Sequence, residues 1–173
     1  MKKYIVLLRG INVSGKNKLP MAELRDLLND LGFQNVQTYI QSGNIILESD
    51  EGKSVVCNKI KEGIQTKFGY DVPVIARTIP QWKKAIANYP FSTDNTKIVA
   101  FVFLSKKVYE TKIEVKDINN DEYVIDNDMV YIHCSTGFGK TKLSNNLFER
   151  KLNVTATTRN YNSTLKLLEL ATK

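Results

Sequence analysis

Histidine occurs once, tryptophan once and cysteine twice in this chain of 173 residues. The two cysteines, Cys57 and Cys134, are far apart and lack a paired spacing, which excludes a disulfide framework and a zinc-finger arrangement. The lone histidine, His133, adjoins Cys134, but neighbours on a strand point to opposite faces, and no third orienting residue is identifiable. A cysteine-based hydrolase is therefore disfavoured, and no metal ligand set is expected. Long apolar runs are missing as well. No stretch approaches the roughly 20 residues that span a bilayer. The apolar run after Met1-Lys-Lys-Tyr4 stops at Arg9, too early for a secretory core. A cytoplasmic protein without membrane contact is expected, in which the glycosylation patterns at Asn12, Asn153 and Asn162 have no meaning.

What remains is the composition of an ordinary folded protein, with 42% hydrophobic and 25% charged residues. Lysine and arginine exceed the acids by 25 to 18, a net charge of +7. That excess favours anionic partners without establishing nucleic-acid binding.

Hydrophobic periodicity predicts strand, helix, strand, strand, helix, strand over the first half. Tyr4–Leu8 is a short strand, and Pro20 opens a helix whose Met21, Leu24, Leu27, Leu28 and Leu31 form one stripe ending at Gly32. Val36–Ile40 and Asn44–Glu48 flank Gln41-Ser-Gly43, a hairpin turn. A second helix, Ser54–Phe68, stops at Gly69, and Val72–Ala76 closes the unit. The second half reads as a helix at Pro80–Asn88, a strand at Ile98–Leu104, a weakly helical stretch at Ser105–Asp117 and a hairpin around Asn127. Helices at Lys142–Leu152 and Asn160–Ala171 complete it. The expected fold is α+β, two ferredoxin-like (βαββα-type) halves packed together: residues 1–78, and an incomplete second half, 79–173, that lacks one strand. Ile98–Leu104 is apolar on both faces, so its sheet is expected to be covered on both sides. An open RNA-stacking sheet is disfavoured accordingly.

Three polar segments stand out: Leu8–Pro20, Tyr39-Ile-Gln-Ser-Gly-Asn44 and Ala156-Thr-Thr-Arg-Asn-Tyr-Asn162. Gly10-Ile-Asn-Val-Ser-Gly-Lys16 has the spacing of a phosphate-binding loop, but Asn17 replaces the metal-holding hydroxyl, and the helix starts only at Pro20. Gly139-Lys-Thr141 is a second near match with Cys134 in place of the leading glycine. Thr141 or Ser144 is expected to cap the helix that follows. In Thr157-Thr-Arg-Asn160, Arg159 reads either as an anion clamp or as a buried structural arginine.

Leu7-Leu-Arg-Gly-Ile-Asn-Val13, Gly15-Lys-Asn-Lys-Leu-Pro-Met-Ala-Glu-Leu-Arg25, Thr38-Tyr-Ile-Gln-Ser-Gly-Asn44 and Ala156-Thr-Thr-Arg-Asn160 together resemble the bacterial domain-of-unknown-function 1697 family. The resemblance spans nearly the whole chain and implies an α+β fold of ferredoxin-like halves, with no established activity or cofactor. Ser14, Lys140-Thr141 and Tyr161 depart from the family pattern of Gly, Arg-Ser and Trp. Lys140 thereby keeps the charge and loses the planar fork. Arg9, Asn12, Lys16, Lys18, Gln41, Ser42, Asn44, Lys140, Thr158, Arg159 and Asn160 form the expected binding set for a small phosphorylated or carboxylated ligand, nucleotides included. Arg9 and Arg159 would clamp the anion, Lys16 and Lys18 add charge, and Gln41 and Asn44 orient it. The alternatives are a nucleic-acid-binding module that uses the basic loops, an enzyme acting on a phosphorylated metabolite, and polar loops that merely lock the halves together.

Overall fold

Tyr4, Val6 and Leu8 point one way from the first strand, Ile5 and Leu7 the other, and all five are buried. This strand, β1 (Lys2–Leu8), is inserted between β3 (Asn44–Ser49) and β4 (Val74–Thr78), antiparallel to both. With β2 (Gln34–Tyr39) the sheet has the order β2-β3-β1-β4. Helix α1 (Met21–Asp30) follows Pro20 and buries Met21, Leu24, Leu27 and Leu28. Helix α2 (Lys53–Phe68) buries Val56, Ile60 and Ile64, and ends where Gly69 takes a left-handed φ of 77°. Together these elements have the ferredoxin-like order and strand arrangement.

The computed structural model describes all residues, 1–173. They divide into one unit of Met1–Lys84 with Leu167–Lys173 and another of Ala85–Lys166. The division falls within helices α3 (Ile79–Ala87) and α5 (Tyr161–Ala171).

The second unit repeats the sheet with β5 (Val99–Leu104), β6 (Glu122–Asp126), β7 (Met129–His133) and β8 (Ala156–Asn160), in the order β6-β7-β5-β8. Helix α4 (Asn145–Leu152) joins β7 to β8. Two expectations are corrected here. Ser105–Asp117 is not helical, since Ile113 and Val115 pack on the core two residues apart, a spacing that one helix face cannot hold. The strand expected to be missing is present as β8. What the second unit lacks, relative to the first, is the helix after its first strand. All six residues of β5 are buried. A strand so covered offers no platform for stacked bases.

No helix is long and apolar enough to cross a membrane.

Candidate functional site

The expected site residues fall into two groups. Arg9, Asn12, Lys16, Lys18, Gln41, Ser42 and Asn44 belong to the first unit, and Lys140, Thr158, Arg159 and Asn160 to the second.

In the first unit, the loop after β1 is held by its own amides. Asn12, at φ 53°, donates through Nδ2 to the carbonyls of Leu19 (3.0 Å) and Gln41 (2.7 Å), while its Oδ1 accepts from the Leu19 amide (2.8 Å). Asn17 donates to the Gly10 carbonyl at 3.1 Å. Asn44 is fully buried beneath the hairpin turn and donates to the Tyr39 carbonyl and the Ser42 hydroxyl. These amides satisfy backbone groups that the irregular loop would otherwise leave unpaired. Lys16 and Lys18 stay exposed on the loop they hold. Asn12→Ala removes three hydrogen bonds from a left-handed position that asparagine tolerates better than alanine. It is expected to lower the unfolding free energy by about 2–3 kcal/mol, read as a lower urea midpoint at unchanged slope.

In the second unit, the loop from Cys134 to Ser144 is anchored on one carboxylate. Asp121, just before β6, accepts from the Thr136 amide (2.9 Å), the Thr136 hydroxyl (2.5 Å) and the Thr141 hydroxyl (2.7 Å). Burial pushes its carboxyl up, but these donors, with His133 nearby, outweigh burial and hold it below the ordinary 3.8. Thr141 also accepts from the Leu143 amide, and Ser144 caps α4 by accepting from the Leu147 amide. Burial pushes the Cys134 thiol up despite its contact with Thr141, and the Nδ1 of His133 is buried without a hydrogen-bond partner. A protonated thiol and a histidine on the opposite face make no nucleophile–base pair. No group of three His, Cys, Asp or Glu side chains lies together to hold a metal ion.

Beside this loop is a cavity of about 300 Å³ lined by Ala100, Ile132, Phe138, Thr141, Leu143, Ser144, Asn145, Thr158 and Asn160. Ala100, Ile132 and Leu143 lie almost fully buried at its base, and the hydroxyls of Thr141 and Thr158 on its wall already donate, to Asp121 and Asn145. The Oδ1 of Asn145 already accepts from the Thr158 hydroxyl (2.6 Å), and the Oδ1 of Asn160 from the Ser163 amide (2.8 Å). Both side-chain amides therefore keep their N–H groups for an incoming acceptor. The wall also contains the N-terminus of α4, whose first turn carries no acidic residue to offset the positive end of the helix dipole. Lys140 lies on the same loop, exposed. A groove of about 510 Å³ shares Ser144 with this cavity and adds Lys116, Lys142, Arg150 and Lys151 against Glu114 and Asp117.

Arg159 does not line this cavity. On β8, Thr158 and Asn160 face it, so the strand alternation turns Arg159 to the other side. Arg159 is buried, donates to the Thr157 hydroxyl (2.7 Å) and the Thr158 carbonyl (3.0 Å), and is pushed down to about 10 by burial, so it stays charged at neutral pH. Arg77 stands at the same register in the first unit. It pairs with Ile5 as Arg159 pairs with Phe101, is equally buried, and donates to the Ala76 carbonyl. An arginine thus recurs at one register position of both sheets, on the edge strands β4 and β8.

The cavity-lining residues that sequence reasoning did not place at a site are Ala100, Asn145 and Ser144. Only the capping of α4 by Ser144 left a trace in the sequence.

No curated protein matches the chain. Among solved structures it is similar to the conserved bacterial protein SP0830 from Streptococcus pneumoniae, at 24% identity over 100% of this chain and 99% of that one, with a TM-score of 0.74. That likeness concerns the fold, two sheets of the same design in one chain. The family model that matches is described as a protein of unknown function, DUF1697, and it covers residues 1–131, from β1 through Tyr131 of β7. The chain belongs to the DUF1697 family.

Proposed function

We propose that the protein binds a small phosphorylated or carboxylated ligand in the second-unit cavity, with the nucleotide class included and a cytoplasmic location. The observation that carries this reading is the polar lining. Asn145 and Asn160, whose Oδ1 atoms already accept and whose N–H groups remain to donate, line one small volume with the start of α4, and Lys140 and Lys142 stand on the adjoining loop. Such a lining leaves an anion well supplied with donors and a cation poorly served.

The reading is tested by a thermal-shift titration at low salt with inorganic phosphate, phosphorylated metabolites and short oligonucleotides. Saturation at 100 times the dissociation constant adds about 2.7 kcal/mol of stability. Lys142→Ala is expected to weaken binding of the responding anion by about tenfold, measured by calorimetry. Unchanged affinity removes Lys142 from the site.

The groove with four cations favours a second reading, a nucleic-acid-binding surface. That reading requires affinity to fall by about 0.9 log units per log unit of salt for each duplex phosphate neutralised. A cavity ligand gives a much shallower slope. At this loop the enzymatic reading gains no support, since Asp121 is held by threonine donors and burial pushes the Cys134 thiol up.

A further inference from the structure

The groove beside the cavity holds positive charge that the fold leaves unmatched. Lys116, Lys142, Arg150 and Lys151 line it, all exposed, and none of the four makes a side-chain hydrogen bond or an ion pair. Elsewhere lysines do close on acids: Lys59 lies 2.8 Å from Glu51, and Lys61 3.4 Å from Asp71. Glu114 and Asp117 line the same groove without closing on any of the four cations. Both acids stand on the stretch that carries Lys116. The excess positive charge therefore lies with Lys142, Arg150 and Lys151, on the loop and on α4.

Asn146, Leu147, Arg150 and Lys151 line the groove from positions i, i+1, i+4 and i+5, which lie on one face of α4. The groove follows that face from Ser144, at the helix start, to the last turn, a run of about 10 Å at about 1.5 Å per residue. Ser144 also lines the cavity, so the two spaces meet at the start of α4. Cations in the last turn complement the negative end of the helix dipole, which accounts for Arg150 and Lys151 being there. It does not account for Lys116 and Lys142, which reach the same groove from other segments.

A run of about 10 Å is under a third of one duplex turn of about 34 Å, too short for a nucleic-acid phosphate track. The volume of about 510 Å³ is that of a small-molecule site. Cations gathered without partners repel one another, and a ligand with several negative charges in a row relieves that repulsion along the whole groove. A lone phosphate at the start of α4 does not extend to Arg150 and Lys151. We infer that the ligand carries a chain of two or three phosphate groups. One group sits at the start of α4, by Asn145 and Asn160, and the next extend along the groove to Arg150 and Lys151. This rests on the anion-binding reading above and narrows it to a ligand class.

The test compares tripolyphosphate with inorganic phosphate by calorimetry at low salt on the intact chain. Both titrations are repeated on Arg150→Gln, on Lys151→Gln and, as a charge control, on Lys67→Gln in α2 of the first unit. All three side chains are exposed, so the variants are expected to fold. Tripolyphosphate is expected to bind at least about tenfold more tightly than inorganic phosphate. Arg150→Gln and Lys151→Gln are each expected to remove most of that advantage and to leave inorganic phosphate unchanged, while Lys67→Gln changes neither. A nucleoside triphosphate titrated alongside tells the sources apart: affinity above that of tripolyphosphate supports a nucleotide as carrier of the chain, and affinity at or below it a free chain. Equal affinity for the two inorganic anions overturns the polyphosphate assignment and leaves anion binding standing. So does an advantage that survives in both groove variants or falls equally in Lys67→Gln. A single-stranded oligonucleotide that binds more tightly than tripolyphosphate, with affinity rising with its length, overturns the assignment in favour of nucleic acid. Binding of neither inorganic anion overturns both readings.

Discussion

Asp121→Ala is expected to be the most destabilising polar substitution in the second unit, at about 3–4 kcal/mol. Three donors converge on this carboxylate, two from Thr136 and one from Thr141. Hydrogen bonds to a charged group contribute about 1.5–3 kcal/mol each, less whatever the hydroxyls recover from water once the carboxylate is gone. For a chain of this size the loss corresponds to roughly 10 °C in melting temperature. The pH dependence has a definite sign. The carboxyl is held below its ordinary 3.8 in the folded state, so the unfolded chain binds the proton more readily. The contribution is fully present above about pH 5 and disappears as pH falls through the unfolded value and then the folded one. Acid unfolding followed by circular dichroism should therefore be steeper in the wild-type chain than in Asp121→Ala. The same substitution loosens Thr141 and Phe138 at the cavity, so ligand affinity should fall with stability.

Gly43→Ala is expected to cost about 3 kcal/mol in the first unit. Gly43 has φ 83°, a left-handed conformation that costs an alanine about 1–2 kcal/mol. A Cβ there would be 2.7 Å from the Cβ of Leu8 and 2.9 Å from the Cδ1 of Ile11. The Leu8 atom adjoins the backbone and cannot swing away, which adds an overpacking term of about 1–3 kcal/mol. The Leu8 amide also donates to the Gly43 carbonyl at 2.9 Å, so relief by backbone movement breaks a hydrogen bond. Urea unfolding measures the loss. A change below about 0.5 kcal/mol would mean that the turn and the loop after β1 are not held as close as described.

The first unit was legible because its core residues repeat with clear periods. Leu24, Leu27 and Leu28 mark a helix face, Tyr4–Leu8 a buried strand, and Gly69 a helix end. The second unit hides its last strand. Ala156-Thr-Thr-Arg-Asn160 has no apolar alternation, because an edge strand can bury threonine and arginine when neighbouring hydroxyls and carbonyls receive the guanidinium. Lysines between Lys106 and Lys116 obscured the pairing of Ile113 with Val115, whose two-residue spacing rules out a helix face.

The polar loops were legible as conspicuous and not by role. Asn12, Asn17 and Asn44 look like ligand amides in the sequence, yet each is bonded to the backbone of its own loop or turn. The cavity was not legible at all. It is assembled from the loop after β7, the start of α4 and the end of β8, which are separated in the sequence and meet only in the fold.

The most direct test is a titration of the isotopically labelled intact chain with inorganic phosphate at low salt, followed through its backbone amide resonances. Saturable shifts are expected at Lys140–Asn146 and Thr158–Asn160, around the start of α4 and the end of β8. Shifts confined to Arg9–Leu19 and Gln41–Asn44, or no saturable shift, would contradict an anion site in the second-unit cavity.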